Sequence, residues 1–110
     1  MIMKNIASGI TVCPGTITGK AYVISNNKNI NNIEPGSIII IPRSHPMYAL
    51  ALMNASAVIC ETGAKVSHIC LVSIEMGIPC ITQVKDIMKK VVTGQTITVD
   101  ATKGEIYAEE

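Results

Sequence analysis

One histidine stands at a junction suited to nucleophilic chemistry. Thr62-Gly63-Ala64-Lys65-Val66-Ser67-His68 reads as a glycine-bearing turn that delivers His68 to the start of a helix. The first N–H groups of a helix have no partner inside it, and the dipole is positive there. That end welcomes an anion and penalises imidazolium, so a neutral His68 with a nucleophilic nitrogen is expected. An unperturbed histidine, with a pKa of about 6.5, is already mostly neutral at pH 7. A neutral imidazole where negative charge is favoured can accept a phosphoryl group and hold it. The competing role is a capping or core histidine, since a helix start suits many polar residues. Ser67 can hydrogen-bond an imidazole or phosphate oxygen and can equally serve as the N-cap. Lys65 is either a flexible point charge for phosphate or a solvated loop lysine. Thr62 is placed to brace the turn, with its hydroxyl near an incoming phosphate.

The elements that must position these residues follow from pattern. Ala57-Val58-Ile59-Cys60 reads as a buried strand entering the turn. Ile69 to Met76 reads as the helix leaving it, and Gly77 sits where a helix C-terminus favours glycine. Upstream, Ser8 to Ser25 reads as two strands around Cys13-Pro14-Gly15 and Gly19. The asparagine-rich residues 26–32 read as an exposed loop, and Glu34-Pro35-Gly36 as a turn. Ser37 to Pro42 reads as a strand, and its unbroken run of isoleucines predicts burial on both faces. Arg43-Ser44-His45-Pro46 is a polar loop, followed by a short helix from Met47 to Asn54. His45 precedes a proline and is expected to be extended and at the surface. Downstream, Pro79 to Thr82 is a strand and Lys85 to Lys90 a short helix or turn. Thr96 to Asp100 alternates with period two and pairs with Glu105 to Ala108 as a hairpin.

Composition narrows the function classes. At 110 residues the chain is expected to form one domain around one core. A net charge of +1 with no basic block disfavours nucleic acid and membrane surfaces as partners. Three tyrosines, with no tryptophan or phenylalanine, give no platform for stacking bases. No window approaches about 18 consecutive apolar residues. Met1-Ile2-Met3-Lys4-Asn5 offers no h-region, so a cytoplasmic location is expected. The four cysteines, Cys13, Cys60, Cys70 and Cys80, have no CxxC spacing and read as reduced core residues. A metal site built on His68 and Cys70 is poor, because helical i and i+2 positions do not face each other; no metal ligands are assigned.

Thr62 to His68, followed by Glu75-Met76-Gly77-Ile78-Pro79, resembles the signature of the phosphohistidine domain. This is the mobile, swivelling domain of phosphoenolpyruvate-utilising enzymes such as phosphoenolpyruvate synthase and pyruvate phosphate dikinase. Val12-Cys13-Pro14-Gly15 with Gly19-Lys20-Ala21 is similar to the family's opening strand pair, and Val99-Asp100 with Gly104-Glu105-Ile106 to its closing hairpin. The resemblance implies a three-layer β/β/α swivelling fold of short mixed strands with two main helices. It implies His68 as the phosphorylated residue, with Thr62, Gly63, Lys65 and Ser67 around the phosphate and Arg43 nearby. Ala64 stands where the family has a second glycine, Ile74 where it has an arginine, and Val66 where some dikinases carry a regulatory threonine.

The chain has no P-loop and no room for a nucleotide-binding or phosphoenolpyruvate-binding domain. The resemblance therefore implies that this chain binds no cofactor itself. Mg²⁺ and ATP or phosphoenolpyruvate are expected on partner domains, namely nucleotide-binding and phosphoenolpyruvate- or pyruvate-binding proteins. Two functions are open: a stand-alone phosphoryl carrier, or a non-catalytic regulatory module that docks on such an enzyme.

Overall fold

The computed structural model describes residues 2–25 and 33–109. The expected loop at 26–32 lies outside the described residues. Among the described residues, strands β1 (Met3–Ser8), β2 (Ile10–Cys13), β3 (Thr16–Val23), β4 (Ser37–Arg43), β5 (Ala55–Thr62), β6 (Cys80–Thr82), β7 (Thr96–Asp100) and β8 (Glu105–Glu109) alternate with three helical segments. These are a 3-10 helix, Pro46–Asn54, and the α-helices α1 (His68–Met76) and α2 (Ile87–Lys90). The strands lie in the order β1-β8-β7-β3-β4-β5-β6-β2. The pairs β3–β4, β4–β5 and β5–β6 are parallel, and the remaining pairs are antiparallel.

The apolar run of β4 makes the layering. Ile38 and Ile40 face one core with Ala57 and Ile59 of β5, Ile97 and Val99 of β7, and Ile106 of β8. Ile39 and Ile41 face a second core with Val58, Cys60, Tyr48, Leu52 and Ile69. All four β4 isoleucines are fully buried, as a strand covered on both faces requires. The first core lies between the two parts of the sheet; the second lies between the parallel strands and the helical layer. The expected three-layer β/β/α architecture is therefore present.

Three expectations need correction. The N-terminal region holds three strands, because Met3–Ser8 adds β1 before the two strands read from the pattern. It is an edge strand held by backbone pairing to β8, Met3 opposite Glu109, and its solvated Lys4 and Asn5 hide the alternation. The Met47–Asn54 segment winds as a 3-10 helix beginning at Pro46, so its buried Tyr48 and Ala51 stand three apart on one side. Its start is capped by His45, extended as expected, whose Nδ1 accepts from the Met47 amide at 3.1 Å. Cys13 is only half-buried, on the margin of the second core.

Gly9 joins β1 to β2 where the chain passes from one end of the strand order to the other. A Cβ there would lie 2.5 Å from the Thr82 carbonyl oxygen, so only glycine permits the crossing. Its amide donates to the Gly104 carbonyl at 2.9 Å, which ties this crossing to the β7–β8 hairpin.

Candidate functional site

The histidine loop is held from three sides. β5 ends at Thr62, which lies opposite Arg43 at the end of β4. The Thr62 hydroxyl donates to the Pro42 carbonyl at 2.9 Å and so braces the two strand ends together. From β6, the Thr82 hydroxyl donates to the Gly63 carbonyl at 2.8 Å. Within the loop, the Ser67 hydroxyl donates to the Ala64 carbonyl at 2.6 Å. Gly63 has φ +136°, and a Cβ there would sit 3.2 Å from the Ser44 Cβ. Glycine is required on both counts. Ala64 is absent from the positive-φ residues, so the loop does not ask a left-handed backbone of it.

His68 is the first residue of α1 and is exposed, as are Lys65 and Thr62. Ser67 occupies the N-cap position without making a side-chain cap. The cap comes from Ser44, whose hydroxyl oxygen accepts from the Ile69 amide at 2.9 Å. One of the free donors expected at this helix start is thus engaged already. Sequence reasoning placed the Arg43–Pro46 loop nearby but missed Ser44, because a cap from another segment leaves no local spacing. Ser44→Ala should cost about 1 kcal/mol of stability, read as a lowered midpoint in urea with an unchanged slope. At the far end, Gly77 closes α1 with φ 70°, as its position implied.

The predicted residues therefore converge on one rim. Beside it lies an open cleft of about 570 Å³ lined by Glu61, Thr62, Gly63, Ala64, Gln83, Lys85 and Asp86. The exposed side of α1 carries Leu71 between His68 and Ile74, and Val66 of the loop is 75 % exposed. Exposed apolar surface thus lies along α1 beside the histidine.

Beneath the rim, Cys60 of β5, Cys70 of α1 and Cys80 of β6 come together, all fully buried. Their sulfur atoms lie within 4.8 Å of one another. Donation from Cys60 and then Cys80 holds the Cys70 thiol well below the usual range, against the opposing effect of burial. Cys60 is pushed far up by its hydrogen bonds to Cys70 and Cys80 and by burial. For Cys80 the hydrogen bond with Cys60 lowers the pKa, but donation to Cys70 and burial raise it to about 12. Cys70 lies in the first turn of α1.

The β/β/α body thus presents an exposed histidine at a loop-to-helix junction. Residues 33–104 match the family model "PEP-utilising enzyme, mobile domain". The chain belongs to that family. It is 34% identical over 102 residues to the phosphoenolpyruvate synthase of Pyrococcus furiosus, covering 93% of this chain and 12% of that protein. It is 33% identical over 111 residues to the pyruvate kinase of Lactobacillus delbrueckii subsp. bulgaricus, covering 100% of this chain and 19% of that protein. The chain thus spans a small part of the length of these relatives. Among solved structures, the solution structure of Enzyme I (nEIt) matches with TM-score 0.63 at 17% identity, over 74% of this chain and 34% of that one. Holo aconitase X of Thermococcus kodakaraensis matches with TM-score 0.70 at 19% identity, over 94% and 98%. These two likenesses concern the fold. No helix among the described residues is long and apolar enough to cross a membrane.

Proposed function

We propose that this chain is a phosphoryl carrier and that His68 is the residue phosphorylated. The observation that carries the reading is an exposed imidazole at the start of α1, on a loop fixed by Thr62, Gly63, Ser67 and Thr82. Membership in the mobile-domain family supports it. In the transfer, a P–O bond of the donor breaks and a P–N bond forms on the imidazole. The donor's leaving group departs with the electron pair of the broken bond. The product carries roughly two negative charges. The positive end of the helix dipole and the Lys65 ammonium favour that charge. The phosphate is then handed to an acceptor on another active site by the reverse exchange.

ATP or phosphoenolpyruvate, with Mg²⁺, belongs to partner domains in this reading. The rim offers an ammonium and an imidazole at a helix start, which suit an anion. The partners are nucleotide-binding and phosphoenolpyruvate- or pyruvate-binding domains. The apolar surface along α1 beside His68 is the face that docks on them. The Ile74 side chain is 49% exposed, so Ile74→Arg should leave stability within about 0.5 kcal/mol of wild type. It should weaken partner-dependent phosphorylation by raising the partner concentration needed for half-maximal rate. An unchanged concentration dependence would remove Ile74 from the docking face.

The function is tested by incubating the chain with a phosphoenolpyruvate-synthase-type nucleotide-binding domain, Mg²⁺ and labelled ATP. Acid-labile label on this chain is expected. Binding to that domain without label would favour the regulatory module, for which the apolar Ile74 at the family's arginine position speaks.

A further inference from the structure

The geometry points to a second site in this molecule: we propose that Cys60, Cys70 and Cys80 form a trigonal thiolate site for a soft monovalent cation, Cu(I). The three sulfur atoms lie within 4.8 Å of one another and are fully buried. A first-row metal bound to thiolate at about 2.3 Å, in the plane of three sulfurs, needs them roughly 4 Å apart. The trio is therefore close to that spacing before any ion enters.

The fold makes this convergence specific. Cys80 is paired with Val58 in the β5–β6 register, and Cys60 lies two residues further along the same face. Cys70 comes down onto that face from the first turn of α1, which lies between the two strands in sequence. A strand, a crossover helix and the next strand each contribute one thiol. The cluster shares its core with Ile39, Ile41, Val58, Ile69 and Ile78.

The donor set selects the ion. All three ligands are soft sulfur, and no imidazole or carboxylate belongs to the cluster. Thiolate ligands favour Cu(I), zinc and iron–sulfur centres. Structural zinc is almost always four-coordinate, and the nearby oxygens are the hydroxyls of Ser67, Ser73 and Thr82. Each of these already donates to a carbonyl: Ser67 to Ala64, Ser73 to Ile69, Thr82 to Gly63. A buried three-sulfur pocket suits a three-coordinate d¹⁰ ion. On binding, Cu(I) replaces thiol protons, which leave to solvent, and its oxidation state does not change. Entry proceeds through opening of the first turn of α1, a helix of 9 residues.

The site is distinct from His68, which is exposed on the rim above. It lies directly under the loop all the same. The Thr82 hydroxyl, beside the cluster, holds the Gly63 carbonyl, and the Ser67 hydroxyl holds that of Ala64. An occupied site would clamp α1 to β5 and β6 beneath the histidine.

The test is an anaerobic titration of the intact chain with Cu(I) against the competing chelator bicinchoninate. One equivalent retained by the protein is expected, with a rise in melting temperature. X-ray absorption should give three sulfurs and no nitrogen or oxygen around copper. Cys60→Ala and Cys80→Ala should each weaken retention by more than ~100-fold, whereas Cys13→Ala should leave it unchanged. Melting without copper reports whether each variant folds. If the alanine variants do not fold, the absorption spectrum of the unaltered chain decides. Complete transfer of copper to the chelator, a light-atom ligand in the shell, or Zn(II) retained in preference to Cu(I) would overturn the proposal.

Discussion

Labelled phosphate on the wild-type chain will be acid-labile and base-stable, and it will disappear completely in His68→Ala. The physical basis is the isolation of this imidazole. The chain has two histidines, and His45 is already committed, its Nδ1 accepting from the Met47 amide. His45→Ala should therefore keep the label while losing some stability with its cap. His68 is exposed at the first position of α1, so its removal should change stability by no more than about 0.5 kcal/mol. Loss of label then reports lost chemistry and not lost folding. The decisive measurement is label per chain after gel separation, with and without acid treatment, for wild type and both variants. Label that persists in His68→Ala would move the phosphorylated residue elsewhere and dismantle the carrier mechanism as drawn.

Gly63→Ala should be the most damaging single-methyl change in the loop. Alanine at φ +136° is strained, at a cost of about 1–3 kcal/mol. Its Cβ would also press on the Ser44 Cβ, 3.2 Å away, and the Ser67 and Thr82 hydroxyls are each 3.5 Å away. Ser44 holds the Ile69 amide, so displacing it forfeits the cap of α1, worth about 1 kcal/mol. Together these give a loss of roughly 3 kcal/mol, seen as a lower urea midpoint. Phosphorylation should slow as well, because the turn that aims His68 moves. Ser44→Ala separates the two effects: it removes the cap and leaves the backbone of Gly63 unstrained. A Gly63→Ala chain as stable as wild type would mean that the loop relaxes freely and does not aim the histidine.

The sequence was informative wherever structure is local or where a strand is buried on both faces. The run Ser37 to Pro42 announced β4, and Gly77 marked the end of α1. Thr96 to Asp100 and Glu105 to Ala108 announced the terminal hairpin, which is present as β7 and β8. The family signature placed His68 at the first turn of α1. What stayed hidden depends on register between distant segments. Ser44 reaches α1 across a stretch of 25 residues. The cysteines looked like independent core residues because their spacing matches no contiguous ligand motif. Only the parallel pairing of β5 with β6, and the docking of α1 across it, brings the three sulfurs together. Strand β1 escaped for a related reason: its partner is the last strand of the fold, and its own outward residues are polar.

That pairing of first and last strands has a mechanical side. Met3 lies opposite Glu109, so the chain enters and leaves this body at one place on one edge. Inserted in a longer polypeptide, the domain would hang from neighbouring segments by a single root, like a door carried on one post. Its rigid bulk, 35 Å in its longest dimension, could turn about that root without unpairing any strand or disturbing either core. Everything that moves would then move together, and the imidazole on the rim would trace an arc fixed by the linkers and not by deformation of the fold.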